Sequence, residues 1–433
     1  MSNKPIARDL ADWLTYIESL HPKSIAMGLQ RVNQVIKRLK LYPDFKIITV
    51  AGTNGKGSTC ATLENIYLNA GYKVGCYTSP HLMRYNERVR VNGQEVEDLG
   101  LCNAFSAIEI ARLDDETGNT ELTYFEVGTL AAIWHFMREQ VDIAILEVGL
   151  GGRLDAVNAF EPDCAIVTSV DLDHMEFLGD TREKIGFEKA GVFRPQITAI
   201  CGDKHPPASL IEHARQIKAD LKLIDIDFSY KSNGPQWQFL QENNVRYELP
   251  TPIMQGDFQL NNAACAIAAV EAMQISVPVP EEAIIKAMQN TRVAGRFQTI
   301  SSKPQVILDV AHNPHAARAL AENLQSCKVT KGKTIAVFAM LADKDIAGVI
   351  TALKDQIDVW YIAGIEHPRG AQAYVLKGLI NQLNPEAICE EFESAAEAYL
   401  QACIDAGEND KIVVFGSFFT VSNVMQAFSN RTH

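Results

Sequence analysis

From Lys46 onward the sequence alternates between short β-branched runs and helix-length segments, with a glycine- or aspartate-bearing loop after each run. This alternation is typical of parallel α/β architecture, in which helices connect successive strands of one sheet. The runs are almost continuously apolar, as expected of strands that helices cover on both faces. The predicted strands are Lys46–Ala51, Lys73–Tyr77, Val141–Val148, Asp163–Val170, Ile197–Cys201, Gln305–Val310, Thr334–Ala339, Asp358–Ala363 and Lys411–Phe415.

An interruption of this pattern predicts a domain boundary. Glycine, serine and proline break the alternation in Thr291–Phe297 and again in Ser301–Pro304. A chain of 433 residues is also long for one compact core. We therefore predict a large α/β domain over residues 1–295 and a smaller one over residues 296–433. The segment Phe228–Leu249 predicts a β-hairpin inserted into the first.

Charge and cysteine content exclude some classes of protein. The formal net charge of −13 argues against a grip on nucleic-acid phosphates, which needs a dense Lys/Arg surface. The nine cysteines are scattered without a CxxC pair, which favours reduced thiols in the cytosol. The first residues lack the apolar core of a signal peptide, and the longest apolar run, Ala263–Val270, is too short to span a bilayer. We expect a cytoplasmic protein that binds neither nucleic acid nor membrane.

The most specific local feature is a glycine-rich loop between a strand and a helix, within Ile47–Thr59. Glycines let backbone amides turn toward phosphate oxygens, the next helix adds the positive end of its dipole, and Lys56 adds a point charge. The helix-prone segment Cys60–Ala70 follows, with Gly71 as the predicted C-cap. The predicted nucleotide-binding residues of the loop are Gly52, Thr53, Asn54, Gly55, Lys56, Gly57 and Ser58.

The spelling of this loop departs from the usual motif GxxxxGK[ST]. The first glycine lies closer to the lysine, and Gly57 displaces the hydroxyl residue by one position, so the pattern alone does not assign Ser58 as a metal ligand. The alternative interpretation is a strand-to-helix turn that merely requires glycines. The order of strand, glycines, lysine and helix favours phosphate binding.

Polar residues after two other predicted strands are candidates for a metal site. A magnesium ion on ATP phosphates needs hard oxygen ligands, and Glu147 ends an apolar run. Asp171, Asp173 and His174 follow the next strand and should emerge at the same sheet edge, where α/β proteins bind ligands. The alternatives are a solvated strand-end glutamate and a structural histidine.

Two further loops carry weaker signals. Gly149–Leu154 resembles a dinucleotide-binding fingerprint, but Leu154 replaces its third glycine and no strong helix pattern follows, so we do not predict NAD or FAD binding. Asp309 and His312 lie at a strand end, where they could reach a nucleotide held between the domains. The alternative there is a plain turn at Asn313-Pro314 with a capping aspartate.

Six motifs occur in one order, and together they closely resemble the folylpolyglutamate synthase and dihydrofolate synthase branch of the Mur ligase superfamily. The resemblance extends from about Trp13 to Val424. The motifs are Gly52-Thr-Asn-Gly-Lys-Gly-Ser58, Ser79-Pro-His-Leu82, Leu146-Glu-Val-Gly-Leu-Gly-Gly-Arg-Leu-Asp155, Asp173-His174, Glu188-Lys-Ala-Gly191 and Asp309-Val-Ala-His-Asn-Pro314.

The resemblance implies a P-loop NTPase-like parallel-sheet domain followed by a smaller Rossmann-like α/β domain. It implies that ATP phosphorylates a pteroate or folate carboxylate, and that the amino group of L-glutamate then displaces phosphate from the acyl phosphate. The implied substrates are dihydropteroate, reduced folates and L-glutamate, and the implied cofactors are ATP and Mg²⁺. We expect a monomer.

Residue roles follow from motif positions in the resemblance. The resemblance implies that Lys56 and its loop bind phosphates. It also implies that Lys189 is carbamylated, because an ammonium group at that position would repel magnesium whereas a carbamate is an anionic oxygen donor. Without the resemblance, Lys189 would be interpreted as a surface cation. His312 joins Lys56, Glu147, His174 and Lys189 as a predicted catalytic residue. The implied metal ligands are Ser79, Glu147 and His174, and the implied ATP contacts outside the loop are Asn262, Arg296 and Asp309.

The resemblance also implies a pterin site built from three segments. Phe125 would stack on the pterin ring, while Thr123 and Asp155 would supply hydrogen bonds. The alternative is a core aromatic residue with turn-capping neighbours. Arg369 and Ser417 are candidates for binding glutamate. The predicted substrate-binding residues are Ile25, Ala26, Met27, Leu122, Thr123, Tyr124, Phe125, Gly152, Arg153, Leu154 and Asp155.

Two other functions compete with this interpretation. A muramyl amino-acid ligase carries a UDP-binding domain ahead of the loop, whereas only 51 residues precede Gly52 here, about half of a typical domain. A nucleotide-dependent switch that binds ATP without ligation would not need Lys56, Glu147, His174 and Lys189 together.

Overall fold

The computed structural model describes residues 8–23, 25–113, 118–327 and 332–432. These residues form two compact α/β units, in agreement with the predicted fold class. The first unit consists of Met1–His81, Tyr85–Ile253 and Gln259–Thr291. The second consists of Leu82–Arg84, Met254–Phe258 and Arg292–His433.

The first unit is built on a mainly parallel sheet. Its strands are β1 (Lys46–Ala51), β2 (Val74–Tyr77), β3 (Val89–Val91), β4 (Gln94–Glu95), β5 (Ile143–Glu147), β6 (Cys164–Val167), β7 (Thr198–Cys201) and β8 (Asp220–Leu223). They lie in the order β4-β3-β2-β5-β1-β6-β7-β8; β3 pairs antiparallel with both β2 and β4, and the remaining pairs of this sheet are parallel. The central strand β1 pairs with both β5 and β6, so three strand ends meet where the glycine-rich loop begins.

Helices cover both faces of this sheet. Along β1, Ile47 and Ala51 belong to the core on one face, whereas Ile48 and Val50 belong to the core on the other. This explains why the strand is apolar at successive positions instead of alternating. The helices of the unit are α1 (Leu10–Ser19), α2 (Gln30–Leu39), α3 (Lys56–Asn69), α4 (Asp98–Arg112), α5 (Tyr124–Glu139), α6 (Met175–Leu178), α7 (Arg182–Ala190), α8 (Ala208–Ile217), α9 (Asp257–Met273) and α10 (Glu281–Asn290).

The predicted hairpin at Phe228–Leu249 is a three-stranded antiparallel sheet. Its strands are β9 (Phe228–Asn233), β10 (Gln236–Gln241) and β11 (Asn244–Pro250). Both residues of the second turn, Glu242 and Asn243, have positive φ, as a tight two-residue hairpin turn requires. The sequence predicted a hairpin of two strands, whereas the segment forms three. The polar strand β9 was missed because apolar and polar residues scarcely alternate along it.

The second unit contains another mainly parallel sheet. Its strands are β12 (Gln298–Ser302), β13 (Gln305–Leu308), β14 (Thr334–Phe338), β15 (Val359–Ala363), β16 (Ile388–Phe392) and β17 (Lys411–Phe415), in the order β12-β13-β17-β14-β15-β16. Only β12 is antiparallel to its neighbour. The helices are α11 (Pro314–Ser326), α12 (Ile346–Leu353), α13 (Ala373–Leu383), α14 (Ala395–Asp405) and α15 (Phe418–Thr432). The fully buried rings of Phe338, Trp360 and Phe415 pack together at the centre of one face.

The predicted strands are found in the structure, but several are shorter than predicted. Val141–Val148 becomes Ile143–Glu147, and Asp163–Val170 becomes Cys164–Val167. The strands that the sequence did not predict, β3, β4, β8, β12 and β16, are short or polar, so they lack the apolar run on which the prediction depends. In the parts of the chain that the structure describes, every helix is too short or too polar to serve as a membrane span.

A partly buried arginine, Arg90 of β3, ties α3 to the neighbouring strands of the first unit. Arg90 forms an ion pair of 2.8 Å with Glu64 on α3, whose side chain is only 5% exposed. The same guanidinium donates to the hydroxyl of Thr78 at 3.0 Å and to the carbonyl of Glu87 at 2.8 Å. Because α3 starts at the glycine-rich loop, this pair fixes the helix behind the loop.

Replacing Arg90 should destabilise the first unit. In Arg90→Ala, Glu64 stays buried without its counter-charge, so we expect the free energy of unfolding to fall by roughly 3 kcal/mol. Urea denaturation followed by circular dichroism would measure this loss. Lys184→Ala, which breaks the exposed Lys184–Asp180 pair, is the control and should leave the unfolding midpoint almost unchanged. Equal losses in both variants would contradict the prediction.

Candidate functional site

The glycine-rich loop is held by the residues that follow β6. The amide of Thr53 donates to the carbonyl of Ser169 at 2.8 Å, and the amide of Asn54 donates to the Ser169 hydroxyl at 3.0 Å. In return, the hydroxyls of Thr168 and Ser169 donate to the carbonyl of Asn54 at 2.6 and 3.0 Å. The sequence interpretation missed Thr168 and Ser169, although two hydroxyl residues directly after an apolar strand could have drawn attention to them.

Two glycines of the loop occupy positions where a side chain does not fit. Gly52 has φ of +146°, and a Cβ there would lie 1.9 Å from the hydroxyl oxygen of Thr168. Gly55 has φ of +90°, and a Cβ there would lie 2.3 Å from Oδ1 of Asn262. The loop can therefore lie close to both neighbours only because glycine has no side chain.

Lys56 is the first residue of α3 and reaches back over the loop. Its ammonium donates to the carbonyls of Gly52 at 2.9 Å and Thr53 at 3.2 Å. The helix thus begins four residues earlier than the predicted Cys60, with Gly55 as its N-cap and no side-chain cap. Amides at a helix N-terminus and an ammonium lie in one place, which is the arrangement that binds phosphate groups.

Glu147 is the last residue of β5 and lies beside this loop. Its side chain is almost fully buried, and Oε2 accepts a 2.9 Å hydrogen bond from the amide of Ser79. Its Oε1 lies within 3.9 Å of where a Cβ on Gly57 would be. The structure therefore brings together Glu147, Ser79 and the start of α3.

His174 lies in the loop after β6 and caps α6 with a left-handed backbone, φ +50°. Its Nε2 is 3.8 Å from Oδ2 of Asp173, and its amide donates to the other oxygen of that carboxylate. Asp171 follows the same strand and donates its amide to the hydroxyl of Thr53 at 3.0 Å. Across the described residues, no three His, Cys, Asp or Glu side chains approach one another as a ready-made metal cluster. A lone carboxylate with a neighbouring hydroxyl residue fits magnesium, which usually retains several water ligands.

Lys189 is buried in α7, so its interpretation as a surface cation is wrong. Only 4% of the residue is exposed. Burial, together with the nearby charge of Lys56, lowers the pKa of Lys189 to about 7, although Asp173 and Asp155 oppose the shift. An amine with this pKa is partly neutral at physiological pH.

Asn262 is the predicted nucleotide contact that lies against the loop. It is buried in α9, its Oδ1 faces Gly55, and its amide nitrogen donates to Oε1 of Gln259 at 3.1 Å. Gln259 is itself 1% exposed and was not singled out in the sequence. It orients the Asn262 amide so that the oxygen faces the loop.

In the second unit, three predicted residues lie near each other after β13. Asp309 accepts the amides of Phe297 and Ala311, both at 2.8 Å, and burial raises its pKa. The Arg296 guanidinium lies 5.6 Å from the ring centre of Phe418, and the His312 ring lies 6.2 Å from the same ring. Phe418, at the start of α15, was not predicted. The interpretation of Asn313-Pro314 as a turn is partly right, since Asn313 caps α11 through the amide of Ala316.

The two candidates for glutamate binding have other partners in the structure. Arg369 forms an exposed ion pair of 2.7 Å with Asp343. Ser417 is buried, and its hydroxyl lies 2.7 Å from that of Thr420 and accepts the Thr420 amide at 3.0 Å. Neither contact assigns a ligand to these residues.

Three of the predicted pterin-binding residues make contacts that stabilise the first unit itself. Thr123 caps α5 in a reciprocal capping box with Glu126. Asp155 is fully buried, accepts the amides of Leu150 and Val157 at 2.9 and 3.0 Å, and has its pKa raised to about 7 by burial. The Phe125 ring packs where a Cβ on Gly149 would lie, 2.6 Å from its nearest atom. Gly149 therefore makes room for Phe125, whereas Gly151 lies against Leu178 and Gly152 against the carbonyls of Glu188 and Lys189, so the glycines that resemble a dinucleotide fingerprint serve close packing.

Comparisons with known proteins place both units in one family. The Mur ligase middle domain matches residues 50–270, and the Mur ligase, glutamate ligase domain matches residues 295–418. The chain is 45% identical over 426 residues to a dihydrofolate synthase/folylpolyglutamate synthase of Escherichia coli (strain K12), covering 98% of this chain and 97% of the relative.

Solved structures agree with the sequence comparison. Escherichia coli FolC in complex with DHPP and ADP superimposes with a TM-score of 0.92 and 44% identity, covering 99% of each chain. A bifunctional folylpolyglutamate synthase/dihydrofolate synthase with Mn, AMPPNP and L-glutamate bound superimposes with a TM-score of 0.88 and 44% identity, covering 98% of each chain.

Gly55→Ala should weaken nucleotide binding. The methyl group would collide with Asn262 and displace the loop, so we expect ADP affinity to fall by at least about tenfold, measured by isothermal titration calorimetry. Gly71→Ala is the matched control, because Gly71 has φ of +91° and no atom within 4 Å of its Cβ position. It should carry a similar backbone strain and bind ADP normally. An unchanged affinity in Gly55→Ala would contradict the assigned loop contact.

Proposed function

Because this chain belongs to the Mur ligase family, in the branch of the dihydrofolate synthase/folylpolyglutamate synthases, we propose that it is an ATP-dependent ligase that adds L-glutamate to dihydropteroate and to the glutamate tail of reduced folates. The observation that carries the proposal is the glycine-rich loop at a sheet edge that also holds the buried Glu147, with the buried Lys189 of α7 close enough for its charge to interact with that of Lys56. A full-length likeness at 45% identity supports the same activity.

The reaction has two steps. A carboxylate oxygen of the folate substrate attacks the γ-phosphorus of ATP, the bond to the β-phosphate oxygen breaks, and ADP leaves. The amino group of glutamate then attacks the carbonyl carbon of the acyl phosphate, inorganic phosphate leaves, and the nitrogen loses a proton. The products are ADP, phosphate and a new amide.

The residues of the first unit contribute position and charge to this chemistry. The amides of Gly52–Ser58 and the ammonium of Lys56 would surround the phosphates. Asn262 and, in the second unit, Arg296, Asp309 and His312 are proposed contacts for the nucleotide and the reacting groups. Catalysis of phosphoryl transfer depends largely on such positioning and charge neutralisation.

Glu147, Ser79 and His174 are the proposed holders of a divalent metal ion. Glu147 supplies the hard carboxylate oxygen that magnesium prefers, and the Ser79 amide fixes that carboxylate. When bound, the ion neutralises phosphate charge. The solved relative with Mn and AMPPNP supports a divalent ion with the nucleotide.

Lys189 is the proposed site of a carbamate. Its neutral amine attacks CO₂, forming a C–N bond and losing a proton, which converts a cation into an anionic oxygen donor. Burial supports this step because it favours the neutral amine, whereas an ammonium beside Lys56 and a metal ion would be repelled.

The experiment that tests the function is phosphate release measured with and without the acceptor substrates. We expect release from ATP to require both dihydropteroate, or a reduced folate, and L-glutamate. Phosphate release at the same rate with and without these substrates would favour a nucleotide-dependent switch. Acceptance of a UDP-muramyl substrate instead would favour a muramyl ligase. Localisation in the cytoplasm, a monomeric state, lack of nucleic-acid binding and the domain limits 1–295 and 296–433 stay predictions.

Lys56→Ala should remove ligation without unfolding the protein. The side chain supplies a charge at the phosphates and has its hydrogen bonds only to loop carbonyls, so we expect kcat/KM to fall by roughly 10²–10³-fold with an unchanged melting temperature. Coupled phosphate release and thermal unfolding would measure both quantities. Near-normal turnover by the folded variant would refute the role of Lys56.

The carbamate on Lys189 should depend on pH. With a pKa of about 7, the amine is mostly neutral at pH 8 and mostly charged at pH 6, and each carbamate formed also releases a proton. At equal dissolved CO₂ the carbamate signal should therefore be more than about tenfold weaker at pH 6. Carbon-13 NMR with labelled bicarbonate would measure it, and Lys189→Met should abolish it. A signal that persists in Lys189→Met would show that another amine is responsible.

A further inference from the structure

Two of the three segments with predicted substrate contacts meet at one ion pair in the first unit, and the third is hydrogen-bonded to the first of them. The segment 25–27 precedes α2, the segment 122–125 starts α5, and the segment 152–155 lies in the loop after β5. Arg31, near the start of α2, and Glu126, in the first turn of α5, pair with Nη2 2.9 Å from Oε1. Neither residue belongs to the predicted site.

The Arg31 guanidinium binds two groups at once. Its Nη2 donates to the carbonyl of Ala26 at 2.5 Å as well as to Glu126, and its Nε donates to both carboxylate oxygens of Glu126 at 3.1 and 3.2 Å. The fork of donors therefore ties the backbone of the first segment to the start of α5.

Glu126 extends the connection to the second segment. Its side chain is 4% exposed, and its Oε2 accepts the amide of Thr123 at 2.7 Å. The third segment joins through backbone, because the amide of Gly28, two residues after Ala26, donates to the carbonyl of Leu154 at 3.2 Å. The buried carboxylate and the guanidinium thus link the first two segments, and the Gly28–Leu154 hydrogen bond attaches the third to the first.

We propose that Arg31 and Glu126 are positioning residues for the acyl substrate, a role that rests on the proposed function. The pair sets the spacing of the first two segments before substrate binds, and the adjacent Gly28–Leu154 bond carries the third with them, so that little ordering is needed on binding. Substrate contacts themselves come from the segments, and the nucleotide loop has no hydrogen bond to the pair.

Arg31→Met should separate acyl-substrate binding from the other steps. We expect the KM for dihydropteroate to rise about tenfold, with kcat and the KM for ATP changed less than about twofold. Calorimetric titration with dihydropteroate should show the same loss. Arg31→Lys, which keeps the charge but not the fork, should lie between Arg31→Met and the wild type.

Arg38→Met is the matched control. Arg38 lies on the same helix and also donates to backbone carbonyls, those of Ala111 at 3.0 Å and Gly118 at 2.9 Å, and these partners lie outside the three segments. It should lose stability without a change in the KM for dihydropteroate. An equal rise of KM in both arginine variants would overturn the proposal.

A double variant distinguishes positioning from stability. In Arg31→Met/Glu126→Gln the buried charge is gone and the amide oxygen can still accept the Thr123 amide, so the melting temperature should recover toward that of the wild type. The KM should stay raised, because the Ala26 carbonyl has lost its donor. A KM that recovers together with the melting temperature would overturn the proposal. If the wild type itself shows no dihydropteroate-dependent phosphate release, it is the proposed function that fails.

Discussion

The predicted nucleotide site depends above all on the hydrogen bonds that fasten the glycine-rich loop to the end of β6. Thr168 and Ser169 accept and donate bonds to Thr53 and Asn54, and they hold the loop at the carboxyl edge of a sheet that is buried on both faces. A loop fixed in this way loses little conformational entropy when it binds a phosphate. The same fastening requires glycine at positions 52 and 55, because Thr168 and Asn262 fill the space of a side chain.

The charged groups around this loop are unusually buried, and that burial shapes their chemistry. Desolvation moves Lys189 and Asp155 in opposite directions on the pH scale, both to a pKa of about 7, since it disfavours the charged form of either group. Structural burial of a lysine is rare without a partner of opposite charge. Phosphoryl transfer between anions needs local charges that bulk water does not screen. A buried ionisable residue beside the loop is compatible with that requirement.

The acyl-substrate segments show a different principle. These proposed contact segments belong to parts of the chain about 100 and 30 residues apart, and of their described residues only Tyr124 and Phe125 lie in a helix. The position of an irregular loop depends on the contacts that neighbouring elements make with it. The ion pair between α2 and α5 provides such a contact for the segment before α2. The capping box at Thr123 fixes the start of α5, next to the proposed contact residues Tyr124 and Phe125.

The sequence by itself determined the α/β class, the central strands, the loop and its lysine, because each of these follows from local hydrophobic pattern and from glycine at fixed spacing. The family was also recognisable from six motifs in order. The sequence did not determine the partners of the loop, Thr168, Ser169 and Gln259, nor the burial of Lys189, nor the pairing of Arg31 with Glu126. These depend on which strands and helices become neighbours, and a hydrogen bond between residues 95 positions apart leaves no local pattern. Only the tertiary structure, which decides what is removed from water and beside what, fixed these contacts.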